Sequence, residues 1–133
     1  MRVYISGKMT GCPDLNRPAF NAAEKRITAK GHFVINPHRI SALFGTAEEI
    51  AVSFRSMYAI EDLKFSIADY QVSPKRSRDM VLASSIMDAD LAAVRSCDVI
   101  YLLRGWESSR GAKKELAEAL AHGLTVMQEG GAE

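Results

Sequence analysis

Two cysteines in 133 residues, Cys12 and Cys97, are too few to staple a fold, and they lack metal-ligand spacing. The three histidines, His32, His38 and His122, do not cluster at ligand spacing either, so neither a metal nor a cofactor is expected. Charge of one sign is also missing. Seventeen Lys and Arg face sixteen Asp and Glu, and the net charge of +1 points to neither a nucleic-acid polymer nor an anionic membrane surface. No apolar run approaches the roughly 20 residues of a transmembrane helix. Met1 leads straight into "RVYIS", which leaves no room for a signal peptide, so a cytoplasmic location with reduced thiols is expected. No internal repeat or low-complexity segment occurs. Neither G-x-G-x-x-G nor a P-loop is present, so two familiar nucleotide fingerprints are lacking.

What remains has the balance of a globular protein, with 47% apolar and 25% charged residues. The length suits one domain with one core, spanning 1–133. "RVYIS" (2–6) reads as a strand closed by Gly7. "GKMTGCPDLN" (7–16) reads as a loop, with Asn16 placed to cap a helix that has Pro18 in its first turn. That helix carries Phe20, Ala23 and Ile27 on one face and stops at Gly31. "HFVIN" (32–36) is a second strand, which completes a parallel βαβ unit. Residues 38–79 are hard to read; they contain helical stretches and a polar turn, "SPKRSRD" (73–79), in which "KRSR" (75–78) reads as solvated. A helix is expected from Met80 to Ser96. "CDVIYLL" (97–103) is apolar enough for a strand covered on both faces. A further helix ends at Gly123, and "LTVMQ" (124–128) is a last strand. The alternation predicts a Rossmann-like, flavodoxin-like three-layer sandwich with a parallel sheet of four or five strands.

Ligands of such sheets bind beyond the carboxyl ends of the strands. Those ends are Ser6-Gly7-Lys8, Asn36-Pro37, Arg104-Gly105-Trp106 and Gln128. On the 80–96 helix, a turn of about 100° per residue puts Asp90 amid Ala83, Ile86, Met87, Ala93 and Val94, with Asp88 facing away. A carboxylate there is either a buried Asp satisfied by a neighbouring loop or a group aimed into a pocket. On the last helix Ala112, Leu116, Ala119 and Leu120 form the expected buried stripe, with Glu115 at its edge. Pattern alone makes Glu115 a solvated glutamate. The preceding "SSRG" (108–111) supplies hydroxyls, a glycine that permits close approach and a helix start, which suit an anion. Lys8 and Thr10, in the turn after the first strand, could contact a phosphate or hydroxyl, although such turns are common in α/β domains. Tyr4 and Trp106 read equally as core or rim aromatics. Ser108 and Ser109 have no positioned His–Asp partner, which leaves a serine hydrolase with little support.

Three blocks, "VYISGKMTG", "NAAEKRITAKGHFVINP" and "DADLAAVRSCDVIYLLRGWESSRGAKKELAEALAHG", resemble a small phage and prophage family. That family lies within the nucleoside 2-deoxyribosyltransferase-like superfamily. The last block is the most specific, with D-L-x-x-(V/I)-x-x-x-D-(V/I) followed by G-x-x-x-E-x-x-x-A-x-x-x-G. The likeness to characterised transferases and to deoxynucleoside 5′-monophosphate N-glycosidases resides mainly in these motifs. The resemblance implies cleavage or exchange of the N-glycosidic bond of a nucleoside or its 5′-monophosphate, with no cofactor. Glu115 then falls on the catalytic glutamate that attacks the anomeric carbon, Asp90 on the aspartate that handles the nucleobase proton, and Tyr4 on the active-site tyrosine. Ser109 matches a serine that helps the N-glycosidases bind phosphate, where transferases have an aspartate. Gly7, Lys8, Thr10, Asn36, Trp106, Ser109 and Gly111 are the expected substrate contacts. Lys8 and Thr10 depart from the N-glycosidase phosphate loop, which has a small hydroxyl residue and an arginine there. The resemblance also implies a homo-oligomer; apolar residues of the segment it leaves unmatched (38–79), Phe54, Met57, Tyr58 and Ile60, are candidate contacts. Longer transferases donate C-terminal residues to a neighbour's site, a contribution not expected from a chain that stops soon after "LTVMQ". The rival readings are a non-catalytic nucleotide-binding module, such as a phage sensor or sponge, and a structural protein that keeps only the fold.

Overall fold

The computed structural model describes residues 1–46, 48–54 and 74–131. In chain order the elements are β1 (Arg2–Ser6), α1 (Arg17–Ala29), β2 (Phe33–Ile35), α2 (Pro37–Ser41), α3 (Pro74–Arg95), β3 (Val99–Leu102), α4 (Arg110–Ala121) and β4 (Thr125–Gln128). Residues 48–54 are also helical. The four described strands form one parallel sheet in the order β2-β1-β3-β4. The chain thus leaves β1 toward one edge and later returns to the other side of it. The seam between β1 and β3 is a topological switch point, where open α/β sheets hold their ligands.

Alternation along the strands builds the layers. Val3, Ile5, Val99 and Tyr101 point to one face and pack on Phe20, Ala23 and Ile27 of α1. Tyr4, Ile100 and Leu102 point to the other, against Val94 of α3 and Ala119 of α4. This is an α/β fold of the Rossmann-like, three-layer kind. β3 is buried throughout, as its unbroken apolar sequence requires. At the carboxyl end of β1, a Cβ on Gly7 would lie 2.9 Å from Leu103 Cβ, so only glycine lets the chain pass the end of β3.

One helix start and one helix cap differ from expectation. α3 begins at Pro74 rather than Met80, so the supposed polar turn is helical from residue 74. Proline is pre-organised for a first helical position, and lysine and arginine are good helix formers, so "PKRSR" extends the helix without an apolar stripe to announce it. Asn16 occupies the N-cap position of α1, but its side chain makes no cap. Its Nδ2 instead donates to the Lys8 carbonyl at 3.0 Å. Asp14, Leu15 and Asn16 all have positive φ, at 51°, 53° and 60°, a strained run for residues with side chains. Burial of Leu15 against Ile50, Phe54, Ala83 and Ile86 helps to hold it.

That same cluster corrects the role expected for Phe54, which is 5% exposed and belongs to the core rather than to a contact between copies. Met57, Tyr58 and Ile60 lie outside the described residues. No described helix is long and apolar enough to cross a membrane. Phe54→Ala should lower unfolding free energy by about 3–5 kcal/mol, the range for deleting a buried phenylalanine. Urea denaturation at two protein concentrations checks it: an interface role would make the loss depend on concentration, and a core role would not.

Candidate active site

Tyr4 and Ser6 are two residues apart on β1, so both side chains point toward the α3/α4 layer. Ser109 precedes α4 as its N-cap, and its Oγ accepts from the Ala112 N–H at 3.1 Å. From that start, Ala112, Glu115 and Ala119 form the buried arc. Glu115 is therefore in the middle of the buried face and not at its edge, whereas Leu120 is 60% exposed. The small side chains of Ala112 and Ala119 allow close packing of this face, and hydroxyls on β1 meet the carboxylate. Tyr4 donates a hydrogen bond to Glu115 Oε2, and Ser6 Oγ donates to Oε1 at 2.7 Å.

Asp90 reaches the same pocket from α3. It is 4% exposed, on the face it shares with Ala83, Ile86, Met87 and Val94, while Asp88 is solvated as expected. Among the described residues its buried Oδ1 has no hydrogen-bond partner. Burial first, and then the Glu115 charge, push the Asp90 carboxyl up to about 9. Burial also raises Glu115, to about 7, against the opposing pull of hydrogen bonds from Tyr4 and Ser6. Burial and the two carboxylates keep the Tyr4 hydroxyl protonated well above its usual range. Near neutral pH, Asp90 is thus the proton holder and Glu115 the member of the pair that ionises first. Two carboxyl groups pushed apart in this way can divide acid and base or nucleophile roles.

The pocket at these carboxyls has a volume of about 30 Å³ and is lined also by Gly7, Met9, Thr10, Phe54, Met87, Ser109, Gly111 and Ala112. A second cavity of about 160 Å³ adjoins it, sharing Thr10 and Ser109 and adding Lys8, Ser108 and Arg110. Of the residues expected from sequence, Tyr4, Gly7, Thr10, Asp90, Ser109, Gly111 and Glu115 converge, and Lys8 lies in the adjoining cavity. Asn36 and Trp106 do not. Asn36 caps α2 by accepting from the His38 N–H at 3.0 Å, and its Nδ2 donates to Asn21 and Glu24. Trp106 packs, half-buried, on the apolar cluster under β3 and β4. Ser6, Met9, Phe54 and Met87 join the site without being among the expected substrate contacts. For Ser6 a signal existed: it follows Tyr4 by two on a strand and must share its face.

A roomier cleft, about 770 Å³, lies elsewhere, between α1 and α2, with Arg17, Lys25 and Arg39 along it. Its carboxylate, Glu24, is engaged by Arg39 at 2.8 Å. It lacks a paired carboxyl, so the smaller pocket is the better candidate despite its size. Among the described residues no three His, Cys, Asp or Glu side chains gather as a metal site.

The raised carboxyls fix a sign for stability against pH. Unfolded, both titrate near 4. The folded state therefore holds more protons above that, and its stability falls as pH rises from about 5 toward about 9. Asp90→Asn mimics the neutral acid. It should flatten that slope and be more stable than wild type at about pH 8, by more than about 1.4 kcal/mol, the worth of one pH unit. Urea midpoints across this pH range test it, and parallel curves would refute the assignment.

A family model described as a domain of unknown function, DUF4406, matches residues 1–73 and 72–128. No curated protein and no solved structure matches the chain. The description of the family names no activity and no wider superfamily. The two matched stretches together run from the first residue of β1's approach to the end of β4, and the chain belongs to the DUF4406 family.

Proposed function

We propose that this protein cleaves or exchanges the N-glycosidic bond of a nucleoside or deoxynucleoside, or of its 5′-monophosphate. The observation that carries the reading is the pair of unlike buried carboxyls, Asp90 and Glu115, at the carboxyl end of a parallel sheet. Loss of a base from a sugar passes through an oxocarbenium-like state, which an adjacent carboxylate stabilises or traps as a glycosyl ester. The departing base needs a proton. Asp90, kept protonated by burial, supplies it, and Glu115, the first of the pair to ionise, faces the anomeric carbon. Transfer to water releases the sugar; transfer to a second base exchanges it. Met9 and Met87 line the tight pocket, and their flexible side chains are the ones able to yield to an entering base.

The adjoining cavity, with Lys8, Arg110 and the hydroxyls of Thr10, Ser108 and Ser109, supports a phosphate on that substrate. It also favours a second reading, a nucleotide-binding module without turnover, because the room beside these cations exceeds the room at the carboxyls. Chromatography of nucleosides and monophosphates for free base, alongside nucleotide-induced thermal stabilisation, separates the two. Stabilisation without base release would favour the module.

Glu115→Gln keeps the shape and removes the charge. It should bind ligand and lose base release by about a hundredfold or more, as expected for the loss of several kcal/mol at the transition state. Glu118→Gln is the control: Glu118 pairs with Arg95 of α3 at 2.9 Å and does not line the pocket, and its replacement should change turnover little. Near-normal turnover in Glu115→Gln would end the nucleophile assignment. Lys8→Ala should weaken a monophosphate about tenfold more than the matching nucleoside, the effect of one lost charged contact. Equal losses, read by calorimetry, would remove Lys8 from anion recognition.

A further inference from the structure

We infer that Ser6 is a positioning residue for Glu115, holding its carboxylate in one orientation and favouring its ionised form; the catalytic consequence rests on the proposed glycosidic reading. Glu115 is 5% exposed, and among the described residues no Lys, Arg or His pairs with it. Its charge is balanced by O–H donors alone. Each carboxylate oxygen has its own donor, Tyr4 on Oε2 and Ser6 on Oε1 at 2.7 Å.

Both donors come from β1, an inner strand paired to β2 on one side and β3 on the other. They stand two residues apart on one face, fully buried, so neither can follow the carboxylate if it turns. A carboxylate pinned at both oxygens keeps its plane fixed relative to the pocket. A single donor would leave it free to rotate about that bond, toward the Asp90 carboxyl that shares the pocket. Ser6 thereby supplies two things: an anchor for the second oxygen, and a donor that prefers the anion. Removing it leaves Tyr4 as the one remaining donor and enlarges the site by no more than a hydroxyl.

The test uses the full chain with carbon-13 at its glutamate carboxyls. Carboxyl chemical shifts are followed against pH in wild type, Ser6→Ala and Ser6→Cys, and the Glu115 signal is assigned by its loss in Glu115→Gln. A donor to the charged form lowers the midpoint, so its removal raises it. Ser6→Ala should move the Glu115 midpoint up by about one pH unit, as expected for one charge-assisted hydrogen bond. Ser6→Cys restores volume but only a weak donor, and should stay near the alanine variant. An unchanged midpoint in a folded Ser6→Ala, or a wild-type midpoint in Ser6→Cys, would overturn the inference, the latter by showing that packing rather than the hydroxyl matters. In the base-release assay the acid limb of the kcat profile should move up with the titration. The Ser6→Ala rate should recover much of its loss at higher pH, the remainder reporting the lost orientation, with KM little changed; a loss that stays constant at every pH would overturn the tuning role. Absence of base release from wild type would instead reject the glycosidic reading, and the carboxyl titration would still decide the role of Ser6.

Discussion

The hydrogen bonds from Tyr4 and Ser6 to Glu115 join the helix after β3 to the strand that starts the sheet. Much of the molecule's arrangement follows from keeping them. A buried carboxylate without partners costs far more than one native contact can return, so α4 must pack closely on β1. Alanines at 112 and 119 make that approach possible, and the Ser109 cap sets the phase in which Glu115 turns inward. The order β2-β1-β3-β4 then places this junction at the seam where the connections diverge, so that the carboxylate ends up beside a crevice instead of sealed in the core.

Asp90 makes sense only against that junction. Glu115 has taken the hydroxyl donors of β1, and Asp90 presents to the same small space an oxygen that has no partner among the described residues. The two acids therefore differ in solvation, in partners and in the ease with which they ionise. A fold selected for stability alone would do better with an apolar side chain at position 90, since burying an unsatisfied polar atom is destabilising. Retaining an acid there is the kind of local violation that marks a working site. The strained run at Asp14–Asn16, which borders the loop carrying Lys8 and Thr10, is a second such violation, held by Leu15 in the core and by Asn16 on the Lys8 carbonyl.

The strands were legible because β-branched and apolar runs bounded by Gly and Pro leave few alternatives; Arg2–Ser6 was read to the residue. Asp90 was legible because a single acid interrupts an apolar stripe of fixed period. The start of α3 was not, because a polar helical turn has no hydrophobic period to read. Glu115 is misplaced for a related reason: a stripe of Ala112, Leu116, Ala119 and Leu120 counts apolar character and sets a carboxylate at the edge, whereas the packed arc is centred on Ala112, Glu115 and Ala119 and leaves Leu120 60% exposed.

By itself the sequence determined the class of fold, the parallel sheet and the inward face of Asp90, since these depend on local period and on the residues that end each element. The turn of α4 that buries Glu115, the meeting of that carboxylate with Tyr4 and Ser6, and the exclusion of Asn36 and Trp106 from the pocket were decided only by tertiary structure. Those outcomes depend on which side chains from distant elements share a low-dielectric space. A carboxylate's worth there is set by donors more than 100 residues away in the chain, which no local pattern encodes.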